Sequence, residues 1–160
     1  MDKKQLIAQI ICRLQADLDT NIAAAKEARD AATHEESVAE NQYDTLGLEA
    51  SYLAHGQSKR VQALEINLAD YRAMPLRDFT GDSAAGLGAL ITLEGIQENS
   101  VSIVKHLFIG PAGGGIQIND GVYTVVVITP EAPIGRALMG RYLGDFVKLP
   151  QGEFEITAIR

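Results

Sequence analysis

Four carboxylates lie close together in the stretch Thr33-His-Glu-Glu-Ser-Val-Ala-Glu-Asn-Gln-Tyr-Asp44, namely Glu35, Glu36, Glu40 and Asp44. No Lys or Arg occurs between Arg29 and Lys59, so this negative charge has no basic neighbour in sequence. Carboxylate oxygens are the ligands that hard divalent cations take. They are also what a positively charged partner surface would seek. A local role competes with both. Thr33-x-x-Glu36 and Ser37-x-x-Glu40 each spell a capping box, in which hydroxyl and carboxylate satisfy the free amides at a helix start. Capping leaves Glu35 unused and does not account for the missing basic residues. His34 stands beside two glutamates, but no second histidine lies at ligand spacing, so it reads as a solvated loop residue. His55 and His106 read the same way.

The elements that would carry these acids are helices. From Gln5 to Ala32 the apolar positions Ile7, Ile11, Leu14, Leu18, Ala25, Ala28 and Ala32, with Asn21 in the gap, keep the alternating spacing of a coiled-coil seam. A second seam follows the acids through Leu46, Ala50, Leu53, Gln57, Val61, Leu64, Leu68 and Tyr71. Two such segments joined by a short polar stretch predict an antiparallel two-helix hairpin over residues 1–75. A turn near residues 34–37 would pair Leu18 with Leu53 and Ala25 with Leu46, and would put the acids at the tip. The first seam is all alanine towards that turn, so the hairpin should be thinnest there. Tyr43 and Tyr52 suit seam or flank packing, and Cys12 suits a small core position.

Met74-Pro75 ends the helical pattern. Beyond it, residues 89–93, 102–109, 121–128 and 153–159 are β-branched, partly alternating runs bounded by Gly, Asn, Asp and Pro, and they predict strands. Residues 130–139 predict one short helix, with Pro near its start and Gly140 past its end. The fold class is therefore α+β, a helical hairpin followed by a small sheet domain over residues 78–160 with one helix. Pro111-Ala-Gly-Gly-Gly115 lacks the Lys-Ser/Thr of a phosphate loop and reads as a hairpin loop between strands.

Composition narrows the function. The chain has 160 residues, 46% hydrophobic and 22% charged, with 21 acidic against 14 basic side chains. Neither half is a basic surface, which disfavours direct binding to DNA or RNA phosphates. One cysteine allows neither an intrachain disulfide nor a cysteine zinc cluster. The apolar run at residues 6–11 is too short to span a bilayer and has no signal-peptide cleavage site after it, so the cytoplasm is the expected compartment.

The passages Ile128-Thr-Pro-Glu-Ala-Pro-Ile-Gly-Arg-Ala-Leu-Met-Gly-Arg-Tyr-Leu-Gly-Asp145 and Leu149-Pro-Gln-Gly-Glu-Phe-Glu-Ile-Thr-Ala-Ile159 resemble the C-terminal domain of bacterial Gre transcript-cleavage factors. Ala23-Ala-Ala-Lys-Glu-Ala-Arg-Asp-Ala-Ala32 and Glu40-Asn-Gln-Tyr43 resemble the same family's passage around its hairpin tip. The resemblance implies an FKBP-like fold for residues 78–160 and RNA polymerase as partner. The hairpin would enter the polymerase's secondary channel, and Pro133, Ile134 and Ala137 would contact the polymerase. It further implies that Glu36 and Glu40, with Glu35 and Asp44 as further candidates by position, share Mg2+ with the polymerase active site. The polymerase's own site would then cleave backtracked RNA, so the chain would be no enzyme by itself. The family's motif reads Asp-x-x-Glu-Asn. Aligned on Glu40-Asn41, it puts Ser37 at the aspartate. Aligned from Ala28-Arg29, it puts Thr33 at the aspartate and Glu36 at the glutamate.

That departure keeps a second reading open, a Gre-like channel binder that regulates or inhibits without cleavage. A peptidyl-prolyl isomerase or chaperone is suggested by the implied fold alone, and a coiled-coil adaptor by the hairpin alone. The expected oligomeric state is a monomer.

Overall fold

Three helices and six strands carry the described part of the chain. The structure, a computed structural model, describes residues 2–33, 46–96 and 102–160. Two long helices come first, α1 (Lys3–Thr33) and α2 (Leu46–Ala73). The strands β1 (Leu90–Ile96), β2 (Ser102–Ile109), β3 (Gln117–Asn119) and β4 (Thr124–Ile128) follow. A six-residue helix α3 (Pro133–Leu138) and the strands β5 (Phe146–Leu149) and β6 (Gly152–Ile159) complete the order. This is the expected α+β class. No helix among the described residues is long and apolar enough to cross a membrane.

The chain divides into two compact units, Cys12–Ala69 and a second that joins Met1–Ile11 to Asp70–Arg160. The division differs from a boundary at Pro75, because both ends of the helical segment group with the sheet.

In the helical unit, Ile22, Ala25 and Arg29 share a groove with Ser58 and Val61 of α2. Ala25 therefore pairs about three helical turns further along α2 than Leu46. The expected pairing of Ala25 with Leu46 therefore does not hold; α1 continues through Thr33, and the expected turn at 34–37 lies outside the described residues. Leu53 and Tyr52, expected to pack in or beside the seam, are exposed. Leu64 and Leu68 are buried, as are Leu14, Leu18, Ala25 and Ala28.

Before Leu14 the buried side chains are Leu6 and Ile10, not Ile7 and Ile11. Leu6, Ile10, Leu14 and Leu18 make three successive steps of four, which depart from the alternating four-three spacing of a strict coiled-coil seam. The same rotation turns Cys12 outward, and it is exposed instead of lying in the core.

The sheet has the order β3-β4-β2-β1-β6-β5, with β2 and β4 parallel and every other neighbouring pair antiparallel. The parallel pair means that residues 111–115 do not turn a hairpin. They carry the chain from β2 to β3, which the sequence pattern did not reveal in its three residues. Leu93, Leu107, Ile109, Phe154 and Ile156 form the centre of the core on one face, capped by Leu138 of α3.

Within the same unit the last turn of α2 is tied to the sheet. The Tyr71 hydroxyl donates to the carbonyl oxygen of Ala112 at 2.7 Å, and the ring is buried. Burial pushes the phenol far above the ordinary tyrosine range, so it stays a donor. The ring fits because residue 110 is glycine: a β-carbon there would lie 2.2 Å from the Tyr71 hydroxyl oxygen. Removing that hydroxyl leaves a buried carbonyl unsatisfied. Tyr71→Phe and Gly110→Ala should each lower unfolding stability in urea by about 1–3 kcal/mol. Midpoints unchanged from wild type would refute the tie.

Candidate functional site

The sequence offered two candidate places, and only one lies among the described residues. Glu35, Glu36, Glu40 and Asp44 fall outside them, as do His34 and Tyr43. Among the described residues no group of three or more His, Cys, Asp or Glu side chains could hold a metal ion.

The other place is α3, and local chemistry explains why a helix forms there. Pro133 occupies the first helical position, where its fixed φ suits the helix and its missing N–H costs no bond. Gly140 has a φ of +77° and takes the left-handed position past the helix end, with its N–H donating to Ala85 O at 2.8 Å. Between them Gly135 is buried against the preceding turn. A β-carbon on it would lie 1.9 Å from the carbonyl oxygen of Thr129. Only glycine lets α3 come down this close to the end of β4. Leu138 is then fully buried in the core, and Ile134 packs on its edge.

This seating brings Pro133, Ile134 and Ala137 onto one wall of a groove of about 570 Å³. Its floor includes Leu107 of β2 and Val126 of β4, and the opposite wall is Leu149 and Pro150 at the β5–β6 turn. Lys105 and Lys148 also line it, and among the described residues no Asp or Glu does. That is notable in a chain with 21 acidic residues. Lys105 Nζ stands 3.5 Å from Gln151 Oε1 and 5.4 Å from the centre of the Phe154 ring. Among the described residues no Phe or Tyr lines the groove.

His106 borders the groove but is neither a loop residue nor solvated on all sides. Its Nδ1 lies 3.2 Å from the Oγ1 of Thr92, the buried polar residue of β1, and its ring meets Tyr123 with centres 4.1 Å apart. Burial lowers its pKa from the ordinary 6.5; Arg160 lowers it further, while Asp120 and Glu94 pull the other way. Asp120 fixes the turn that delivers Tyr123. Its carboxylate accepts the N–H groups of Tyr123 and Val122, both at 3.0 Å, which holds its pKa at about 2.

The family resemblance implied the α3 trio, which lies on this groove, but not the lysines. Lys148 lies in β5, a strand only four residues long. Lys105 did carry a signal, since it alternates with Ile103, Leu107 and Ile109, the residues that pack on or in the core.

No family model matches the chain. Over 126 residues, 73% of this chain and 71% of the relative, it is 33% identical to the transcription inhibitor protein Gfh1 of Thermus aquaticus. The chain belongs to the Gre family. Solved structures of Gfh1 align over nearly the whole of this Gre-family chain. That of Thermus thermophilus is 25% identical with 94% of each chain covered and a TM-score of 0.36. That of Thermus aquaticus is 24% identical with 92% of each covered and a TM-score of 0.34. These superpositions are loose, and membership rests on the sequence identity.

Two outcomes follow from the geometry. Gly135→Ala should cost about 1–3 kcal/mol in thermal or urea unfolding, because a methyl group is forced onto a carbonyl oxygen. It should also displace the amide resonances of Ile134 and Ala137; an unchanged spectrum would contradict the close seating. His106 should titrate by NMR below 6.5. Because the unfolded chain then binds the proton first, the stability contributed by neutral His106 is present above pH 6.5 and is lost as pH falls below it. His106→Asn should flatten that acid slope, and an equally steep slope would assign it to other groups.

Proposed function

We propose that this Gre-family chain binds RNA polymerase at its secondary channel and restrains RNA synthesis without stimulating transcript cleavage. The observation that carries this reading is the 33% identity over 126 residues to a protein named as a transcription inhibitor. The sequence supports it independently. Where the cleavage motif of the family has aspartate, this chain has Ser37 or Thr33, depending on the alignment. Half of a metal-holding carboxylate pair is thus missing.

In this reading the two candidate places have different tasks. Pro133, Ile134 and Ala137 contact the polymerase surface. Glu35, Glu36, Glu40 and Asp44 offer oxygen donors of the kind that the polymerase's Mg2+ takes, and the absence of Lys and Arg around them leaves their charge available for it. An isomerase reading finds no support in the groove, where no Phe, Tyr or Trp stands among the described lining residues to hold a proline ring.

Transcription from a purified bacterial core polymerase tests the proposal. Adding the chain should lower RNA yield several-fold, and Glu36→Ala with Glu40→Ala should relieve the effect. In backtracked complexes the transcript should not shorten, and the chain should compete with an authentic cleavage factor. Shortening that disappears in the double variant would replace inhibition with cleavage stimulation. Failure to bind polymerase would remove both.

A further inference from the structure

We infer that the β3–β4 turn is a covalent modification site that folding keeps shut. Asp120-Gly121 rearranges to isoaspartate in the unfolded chain, and the hydrogen bonds of the turn suppress that reaction in the folded one. The inference is independent of the proposed function.

The chemistry belongs to the dipeptide itself. The Gly121 amide nitrogen loses its proton and attacks Asp120 Cγ, a water leaves, and a succinimide ring closes. A water then reopens the ring. Breaking the new Cγ–N bond restores aspartate, whereas breaking the original peptide C–N bond routes the main chain through Cβ and Cγ. No oxidant or cofactor is needed. Glycine in the second position favours the attack, because no side chain crowds the nitrogen. Asp120-Gly121 is the only Asp-Gly in the sequence, and Asn-Gly does not occur. The turn is also open to water. Gly121 is exposed, Val122 is 86% exposed, and a β-carbon on Gly121 would meet nothing within 4 Å. Burial therefore offers no protection.

Hydrogen bonding does, at both reacting groups. On the nucleophile, the Gly121 N–H donates to Asn119 Oδ1 at 2.7 Å, so its proton is engaged by a neighbouring side chain instead of being released to solvent. On the electrophile, Asp120 Oδ1 accepts the N–H groups of Tyr123 and Val122 at 3.0 Å each. These donors favour the ionised carboxyl and hold its pKa at about 2, below the ordinary 3.8. A carboxylate is a poor electrophile, and at neutral pH the reactive acid form is about tenfold or more rarer than in an unfolded chain. The neighbouring route is covered as well. Asn119 would deamidate by attack from the Asp120 nitrogen, and that N–H donates to Tyr123 O at 3.3 Å. Isoaspartate lengthens the main chain and moves the carboxylate off the Val122 and Tyr123 amides. Modification acquired while unfolded would then persist after refolding as a turn that no longer fixes Tyr123.

The full chain incubated at neutral pH, folded in buffer or unfolded in urea, tests this. Isoaspartate is counted by enzymatic methyl transfer from S-adenosylmethionine and placed by peptide mapping. The unfolded chain should accumulate it at Asp120 about tenfold faster or more. Asn119→Ala, at an exposed position, frees the Gly121 amide and should raise the folded rate several-fold with little change in urea midpoint. If that variant folds poorly, hydrogen exchange in wild type decides. The Gly121 amide should then exchange about tenfold or more slowly than in the unfolded chain. Equal isoaspartate rates in the folded and unfolded chains, a folded rate unchanged by Asn119→Ala, or an unprotected Gly121 amide would overturn the inference.

Discussion

The carbonyl oxygen of Thr129 occupies the space that a β-carbon of residue 135 would need, and the arrangement of the C-terminal domain around α3 depends on that exclusion. A helix of six residues has little stability of its own, since nucleation costs more than so few hydrogen bonds return. It persists because Pro133 fixes its entry, Gly140 ends it, and Leu138 is buried in the core beneath it. Gly135 lets the helix sit low enough for Leu138 to reach. With a larger residue there, α3 would ride higher, Leu138 would lose core contacts, and the wall formed by Pro133, Ile134 and Ala137 would move. Packing, helix seating and groove shape are therefore one constraint.

How much of this was legible in the sequence differs from element to element. The long helices, β2, β6 and α3 are visible because period, β-branching and punctuating Gly and Pro agree over enough residues. Strands β3 and β5 are too short for a period to register. Strand β4 begins at Thr124, later than the apolar run beginning at Gly121, because the Asp120 carboxylate binds the amides of Val122 and Tyr123 in a turn. The hairpin's pairing was misjudged for a different reason. Heptad spacing says which face of each helix is apolar, but not how far one helix has slid along the other. That offset is set by where the turn falls, and the sequence of the acidic stretch spells two capping boxes, Thr33-x-x-Glu36 and Ser37-x-x-Glu40, so that it does not single out one helix start.

The candidate site was legible in the same uneven way. The α3 trio could be carried over from family resemblance, while Lys105 and Lys148 belong to no motif. They come together only because β2 and β5, distant in sequence, flank the same groove in the folded sheet. A lysine that alternates with core residues is nevertheless unusual, since burying an ammonium group is costly without compensation. Lys105 resolves this by lying over the Phe154 ring and reaching Gln151 with its head group. It keeps its stem on apolar surface while its charge remains available at the rim.

A chain with net charge −7 that also carries a groove lined, among the described residues, by Lys105 and Lys148 and no carboxylate has two features of opposite sign. Neither alone would select a partner. Exposed acids act over about one Debye length, roughly 8 Å at physiological salt, and attract any cationic surface. The groove is small beside a standard protein–protein interface, so its affinity is modest. The acids act at range and the groove only at contact, so the two features differ in reach as well as in sign.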